Sequence, residues 1–230
     1  MHRATYKPPS DCGLDLVYCD ESLLVANKPA GLLSVPGRGS DKSDSLETRI
    51  QKEFPDARGV HRLDMSTSGL LMFARGADIH QRLSSLFRER AIRKSYVAIV
   101  SGRIGTAGEV DLPLASDWPN RPRQMVNFAI GKPSLTRYVL LDYLIYPTRD
   151  TTHHVDGGQP ASRVELEPVT GRTHQLRVHL AAIGHPVLGD ELYGGNAGSR
   201  PERLLLHARE LSFIHPLTDE LLTLTSEAPF

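Results

Sequence analysis

The sequence predicts an α+β domain, and three observations predict it. Short apolar runs bounded by Gly, Pro, Asp or Ser recur along the chain in the form of strands. Between them lie a few stretches in which apolar residues return every three or four positions, the period of a helix resting on a core. No internal repeat, coiled-coil pattern, low-complexity tract or Gly/Ser linker divides the 230 residues, so one domain over residues 1–230 is expected. Apolar residues at 40% and charged residues at 23% are ordinary for a chain that buries a core of its own.

Taken in order, residues 14–18 and 23–27 read as two strands joined by the turn Cys19-Asp20-Glu21-Ser22. Lys28-Pro29-Ala30-Gly31 and Val35-Pro36-Gly37-Arg38-Gly39 then make an extended loop of specific shape, without the spacing of a phosphate-binding loop. Asp44 opens a helix, with Glu47 in capping-box register and Leu46, Ile50 and Phe54 spaced by four, and Pro55 stops it. Residues 70–74 form a buried strand, and 77–90 a helix with Ile79, Leu83, Leu86 and Phe87 on one face. The basic end of that helix, Arg88, Arg90, Arg93 and Lys94, either complements the helix dipole or meets phosphate. A strand follows over residues 94–100.

Residues 112–131 are poor in regular pattern. They hold Trp118-Pro119-Asn120-Arg121-Pro122-Arg123, where Arg121, Arg123 and the aromatic ring are suited to reach over a nucleic acid. Residues 133–146 are strand material, and 147–162 a polar loop containing Asp150, His153, His154, Gly157 and Gly158. No third ligand accompanies the paired histidines, so the loop reads as solvated rather than metal-binding. A strand over 163–168 leads through Thr170-Gly171-Arg172-Thr173 into a helix ended by Gly184 and Pro186. Its His174 and His179 lie roughly 140° apart around the axis and cannot face one zinc ion. Arg177 stands between Leu176 and Val178, with Leu180 and Ile183 on the apolar side, so its head points inward and requires a carboxylate partner. Strands over 203–208 and 221–225 close the chain.

Charge and cysteine content narrow the function classes. Lys and Arg together number 27, as do Asp and Glu, so a grip on nucleic acid has to come from local basic patches. Cys12 and Cys19 cannot complete a zinc set or a disulfide framework and read as reduced structural thiols. The N-terminal stretch lacks a hydrophobic signal core and no apolar run reaches spanning length, so a cytoplasmic protein is expected.

The chemistry centres on Gly59-Val60-His61-Arg62-Leu63-Asp64-Met65-Ser66-Thr67-Ser68-Gly69, followed at once by the apolar run Leu70-Leu71-Met72-Phe73-Ala74. This sets a carboxylate on a loop backed by a buried strand, where catalytic groups are commonly placed. An aspartate there also suits a purely local task, accepting bonds from turn amides. Three segments together, His61-Arg62-Leu63-Asp64, Lys94-Ser95-Tyr96-Val97-Ala98 and Gly171-Arg172-Thr173-His174-Gln175-Leu176-Arg177-Val178-His179, resemble the RluA family of RNA pseudouridine synthases. The resemblance extends through Asn27-Lys28-Pro29-Ala30-Gly31-Leu32-Leu33, Gly184-His185-Pro186-Val187-Leu188-Gly189-Asp190 and Arg203-Leu204-Leu205-Leu206-His207-Ala208, and so covers nearly the whole chain.

The resemblance implies the pseudouridine synthase fold, a mixed, largely antiparallel central sheet flanked by helices and loops. It implies an enzyme that isomerises uridine in RNA with neither metal nor redox cofactor. In that reading Asp64 is the catalytic carboxylate, Tyr96 stacks on the uracil and removes the carbon-5 proton, and Arg177 holds Asp64 and keeps it ionised. Whether the carboxylate attacks the ribose, adds to the ring or removes a ribose proton stays open. The target base has to be flipped out of its stack, and Arg62, with His61 beside it, resembles the family residue that occupies the vacated space. Arg88, Arg90, Arg93, Lys94, Arg121 and Arg123 are the candidates for the phosphate grip. The stretch Asp117-Trp118-Pro119-Asn120-Arg121-Pro122, and the expected lack of an appended N-terminal RNA-binding domain, point to the family's type member. Its substrates are a ribosomal RNA hairpin and the anticodon arm of certain transfer RNAs. Two other classes share part of the pattern, a glycosidase and an RNA-binding protein without activity. The first lacks a second carboxyl group in the core segments, and the second is at odds with an intact Asp64, Tyr96 and Arg177.

Overall fold

Turn-forming residues mark most element ends, and the apolar runs between them become strands. The computed structural model describes residues 6–147, 158–194 and 201–230. The chain passes through β1 (Leu16–Cys19), β2 (Leu23–Lys28), α1 (Leu46–Gln51), β3 (Ala57–Gly59), β4 (Ser68–Arg75), α2 (Ala77–Glu89) and β5 (Arg93–Ser101). It continues through β6 (Ala107–Asp111), β7 (Leu114–Ser116), β8 (Gln124–Val126), β9 (Leu135–Tyr146), β10 (Gln159–Pro168), α3 (Gln175–Ala182), β11 (Leu206–Ile214) and β12 (Leu221–Thr225). This is the α+β class read from the sequence. The sheet is mostly antiparallel, as in the pairs β1–β2, β2–β4, β5–β10, β9–β10 and β11–β12. Two compact units are present, Met1–Lys94 with Ala208–Pro229, and Ser95–His207 with Phe230.

In the first unit β4 lies between β2 and β11, with β1 on β2, β3 on β4 and β12 on β11. Ser68 to Ala74 of β4 are all buried, as a near-continuous apolar strand covered on both faces should be. Leu70, Met72 and Ala74 share one core with Leu83 of α2 and with Leu211 and Phe213 of β11, and Ile79, Leu86 and Phe87 pack on it. Each such Leu, Met or Phe contributes about 1.5–3 kcal/mol on full burial. The period read for α2 is thus its packing face. The helix ends at Arg90, whose φ of 61° is left-handed, and Ala91 N–H then reaches the Leu86 carbonyl at 2.9 Å.

Helix α1 is shorter than the spacing suggests, and its capping box sits one residue later. Ser45 is the N-cap and Thr48 the reciprocal partner. Asp44 instead pairs with Arg49 at 2.8 Å, and Glu47 accepts the Gly59 N–H at 2.9 Å, at the end of β3. A box follows its N-cap, so moving the cap from Asp44 to Ser45 releases Glu47 for a tertiary contact.

In the second unit the strand order is β5, β10, β9, β6, with β7 and β8 as a separate two-stranded ribbon. Ala98 and Val100 of β5, Val164 and Leu166 of β10, and Leu176 and Leu180 of α3 share a core. The ribbon lies inside the pattern-poor stretch 112–131, because strands of three residues are too short for alternation to show. Strands β3 and β6 escaped notice for the same reason of length or polarity. Strand β10 begins at Gln159, four residues earlier than read, so the polar loop is shorter. Asp150, His153, His154 and Gly157 of that loop lie outside the described residues. Cys12 and Cys19 are free thiols, and both are exposed rather than part of a core. Among the described residues no helix is long and apolar enough to cross a membrane.

Candidate active site

In the first unit the backbone is held on either side of Asp64. Ser34 Oγ donates to the Leu63 carbonyl at 2.8 Å and accepts the Leu63 N–H at 3.0 Å. On the other side the Met65 carbonyl accepts from Lys28 Nζ at 3.0 Å and from the Gly31 N–H at 2.8 Å. The Asp64 carbonyl itself takes the Thr67 N–H at 3.1 Å, closing a turn. Lys28 is fully buried, and its ammonium also donates to the carbonyls of Pro29 (2.9 Å) and Leu32 (2.7 Å). Three carbonyls thus take the three ammonium donors, which is how a lysine tolerates such a place. The glycine- and proline-rich loop after β2 is therefore the clasp of the Asp64 loop. Gly69, where the loop enters β4, has a φ of 109°, and a β-carbon there would overlap the Ala208 backbone, so only glycine fits.

Asp64 is half-buried at this held position and Arg62 is exposed beside it. His61 behaves differently from Arg62. Its Nε2 accepts the Met72 N–H at 3.1 Å, and its ring stacks on Phe87 with centroids 4.5 Å apart. Burial, with the Lys94 charge adding to it, pushes its pKa down to about 3, so the ring is a neutral acceptor that ties the loop to β4. Lys94 is half-buried, and burial first and Arg90 second lower its pKa. Arg88, Arg90 and Arg93 are exposed. Arg88 donates to Ser85 Oγ at 3.3 Å, and Ser85 in turn donates to Glu89.

In the second unit Tyr96 is half-buried on β5, opposite Leu166 of β10, and packs against the core that includes Ala98 and Val164. Helix α3 buries six consecutive residues, Gln175 to Leu180, so polar side chains on it need partners inside the protein. Arg177 is 4% exposed and makes a bidentate pair with Asp190, Nε to Oδ2 and Nη2 to Oδ1 each at 2.8 Å. The pair lowers the Asp190 pKa against the opposing effect of its burial, and the N–H groups of Leu192 and Tyr193 add to the lowering. His179 is fully buried and bonded through Nδ1 to Thr136 Oγ1 and through Nε2 to the Leu112 carbonyl. His174, which precedes α3 with a φ of 54°, bonds through Nδ1 to the Tyr193 hydroxyl at 2.8 Å. On the loop between β7 and β8 the Arg121 guanidinium lies over the Trp118 ring, which is 70% exposed, and Arg123 lies over Tyr193.

The sequence singled out Asp64, Tyr96 and Arg177 but passed over Asp190, Tyr193, Lys28 and Ser34. One signal for Asp190 was at hand. An inward arginine requires a carboxylate, and Asp190 closes the matched segment that begins at Gly184. No local signal marks Ser34, whose bond to Leu63 spans 29 residues.

A family model described as RNA pseudouridylate synthase matches residues 22–182. Over 232 residues the chain is 45% identical to an Escherichia coli (strain K12) protein named dual-specificity RNA pseudouridine synthase RluA, and the match covers 100% of both chains. A Vibrio parahaemolyticus protein of the same name is 47% identical over 218 residues, covering 94% of this chain and 84% of that one. Of solved structures, human RNA pseudouridylate synthase domain containing 1 superposes with a TM-score of 0.78 at 34% identity, covering 97% of this chain and 87% of that one. Human RNA pseudouridylate synthase domain containing 4 gives a TM-score of 0.66 at 26% identity, covering 93% and 88%.

Proposed function

The chain belongs to the RNA pseudouridylate synthase family, and on that footing we propose that it isomerises uridines in two kinds of structured RNA, a hairpin loop of large-subunit ribosomal RNA and the anticodon arm of certain transfer RNAs. The full-length identity to an enzyme named for dual specificity supports the two substrate classes. The reaction breaks the bond from ribose to ring nitrogen, turns the uracil and rejoins it through carbon 5. The carbon-5 proton leaves and the ring nitrogen regains one, so the composition of the RNA is unchanged.

Asp64 is the carboxylate that acts on the nucleotide, Tyr96 supplies the flat face for the uracil and the oxygen that handles the carbon-5 proton, and Arg177 is the cation that serves the reacting carboxylate. The observation that carries this reading is the clasp on the Asp64 loop. A half-buried carboxylate whose neighbours Leu63 and Met65 are both bonded through their backbone is held in a preorganised position. Base flipping costs a few kcal/mol, and stacking on an aromatic ring returns about 1–3 kcal/mol. Arg62, exposed next to Asp64, fills the gap the base leaves, and His61 holds that loop on β4.

Arg88, Arg90, Arg93, Lys94, Arg121 and Arg123 grip phosphates. For Arg90 a second observation supports this: it occupies a left-handed position that glycine fills at least cost. Residues 1–230 act as one catalytic domain, in the cytoplasm, on loops whose bases can be splayed out. The test is tritium release from an anticodon stem-loop and a ribosomal hairpin labelled at uracil carbon 5, for the parent and for Asp64→Asn. Release by the parent alone is expected. Release by both proteins would move the chemistry to another residue, and equal modification of a fully paired duplex would end the loop-specific reading.

A further inference from the structure

Tyr193 has no place in the chemistry above, yet several parts of the second unit meet on it. Asp190 builds the turn that presents it. Its Oδ1 accepts the N–H of Leu192 at 2.9 Å and of Tyr193 at 3.1 Å, and its main-chain carbonyl takes the Gly194 N–H at 3.0 Å. A β-carbon at residue 194 would lie 2.5 Å from that carbonyl, so the turn is closed by a glycine of necessity. The carboxylate that shapes this turn is the one that holds Arg177. The phenol ring consequently lies 5.2 Å from the Arg177 guanidinium carbon and 5.6 Å from that of Arg123, both within cation–π range.

The hydroxyl makes the other connections. It accepts the backbone N–H of Gln124, the first residue of β8, at 2.8 Å, and it is bonded to His174 Nδ1 at 2.8 Å. The first bond fixes the strand next to Arg123. The second steadies a left-handed non-glycine residue at the start of the helix that carries Arg177. The ring therefore serves one arginine assigned to the phosphate grip and one assigned to the chemistry, and the hydroxyl ties down the backbone beside each.

We propose that Tyr193 is a positioning residue that orders the RNA-gripping ribbon β7–β8 relative to the Arg177–Asp190 pair, its hydroxyl acting on RNA engagement and its ring on turnover. This rests on the functional reading above. Tyr193→Phe keeps the ring and loses the bonds to Gln124 and His174; with the tether to Gln124 gone, the KM for a uracil-tritiated anticodon stem-loop rises by about 2- to 12-fold, the equivalent of one neutral hydrogen bond. Its kcat falls by less than that of the variant without the ring, because the face toward Arg177 is intact. Tyr193→Leu, which removes the ring, also lowers kcat, by about 5-fold or more. The hydroxyl acts through the ribbon, so Tyr193→Phe introduced into Arg123→Ala changes KM by less than about twofold.

A purely structural tyrosine would instead lower the melting temperature and change KM by the same factor with and without Arg123. That result overturns the proposal, as does a Tyr193→Phe protein with unchanged KM or with its whole defect in kcat. The same cycle is run on the Kd of unlabelled stem-loop. A parent protein that releases no tritium refutes the enzymatic reading, while non-additive Kd values still uphold the tether and additive ones remove it.

Discussion

The loop that carries Asp64 and the side chain of Arg177 are both held in place, by different bonds. On either side of Asp64 the backbone is bonded: Ser34 to Leu63 on one side, Lys28 and Gly31 to Met65 on the other. Around Arg177 the bonds are made by the guanidinium itself, to Asp190, from within a helix buried on all sides. In the first unit these bonds do not use the side chain of Asp64. In the second, the functional side chain is part of the scaffold, because an ionised partner would be left behind in a dry place.

The largest effect expected from this contrast is that of Asp64→Asn. Turnover falls by on the order of a thousandfold or more, as when a single reacting group is removed. Stability falls by less than it does for Arg177→Met. Tritium release and a thermal melt measured together check it, and a melt that falls with activity would erase the difference between the units. Arg177→Met comes next. It strips the partner from a fully buried Asp190 and destabilises by about 3–5 kcal/mol, together with loss of activity. Replacing both members, Arg177→Met with Asp190→Leu, costs less than the sum of the single changes, which chemical denaturation of the four proteins would establish.

Lys28→Met sharpens the comparison from the other side. Three carbonyls each lose a donor, at about 1–3 kcal/mol, and the Asp64 loop loses one of its clasps, so turnover should fall more than stability does. A pure loss of stability, with turnover at low temperature intact, would show that Ser34 and Gly31 suffice. A last effect concerns acid. His61 has its pKa lowered from 6.5 to about 3 by burial and by Lys94, so between those values the unfolded chain takes up a proton that the folded one refuses. Its stabilising contribution is complete above pH 6.5 and is lost progressively as pH falls toward 3. Urea midpoints across that range should fall less steeply for His61→Gln, which keeps an acceptor but does not titrate. Parallel curves would mean that the imidazole is protonated in the folded state.

Much of this arrangement could be read before any fold was known. The apolar period of α2, the continuous apolar core of β4 and the turn at Asp20 are local patterns, and each became the element it announced. Asp64 stood out because a carboxylate between glycines and short polar stretches, ahead of a buried strand, is visible within a dozen residues. The capping box was misplaced by one residue because Asp44 and Ser45 are both good caps, and the choice between them is made by Arg49, which takes Asp44 as an ion partner.

The sequence by itself determined the α+β class, the loop position of Asp64 and the inward place of Arg177, since side-chain period and turn chemistry act between near neighbours. Tertiary structure decided what those residues touch. Asp190 is the partner of Arg177 across 13 positions, Ser34 bonds Leu63 across 29, and Lys28 reaches Met65 across 37. It also made His61 a neutral strut of β4 where its neighbours in sequence suggested an RNA contact. A buried charge or donor must find a partner, which sequence reveals, but which group answers depends on how loops far apart in the chain close on one another, which only the packed fold resolves.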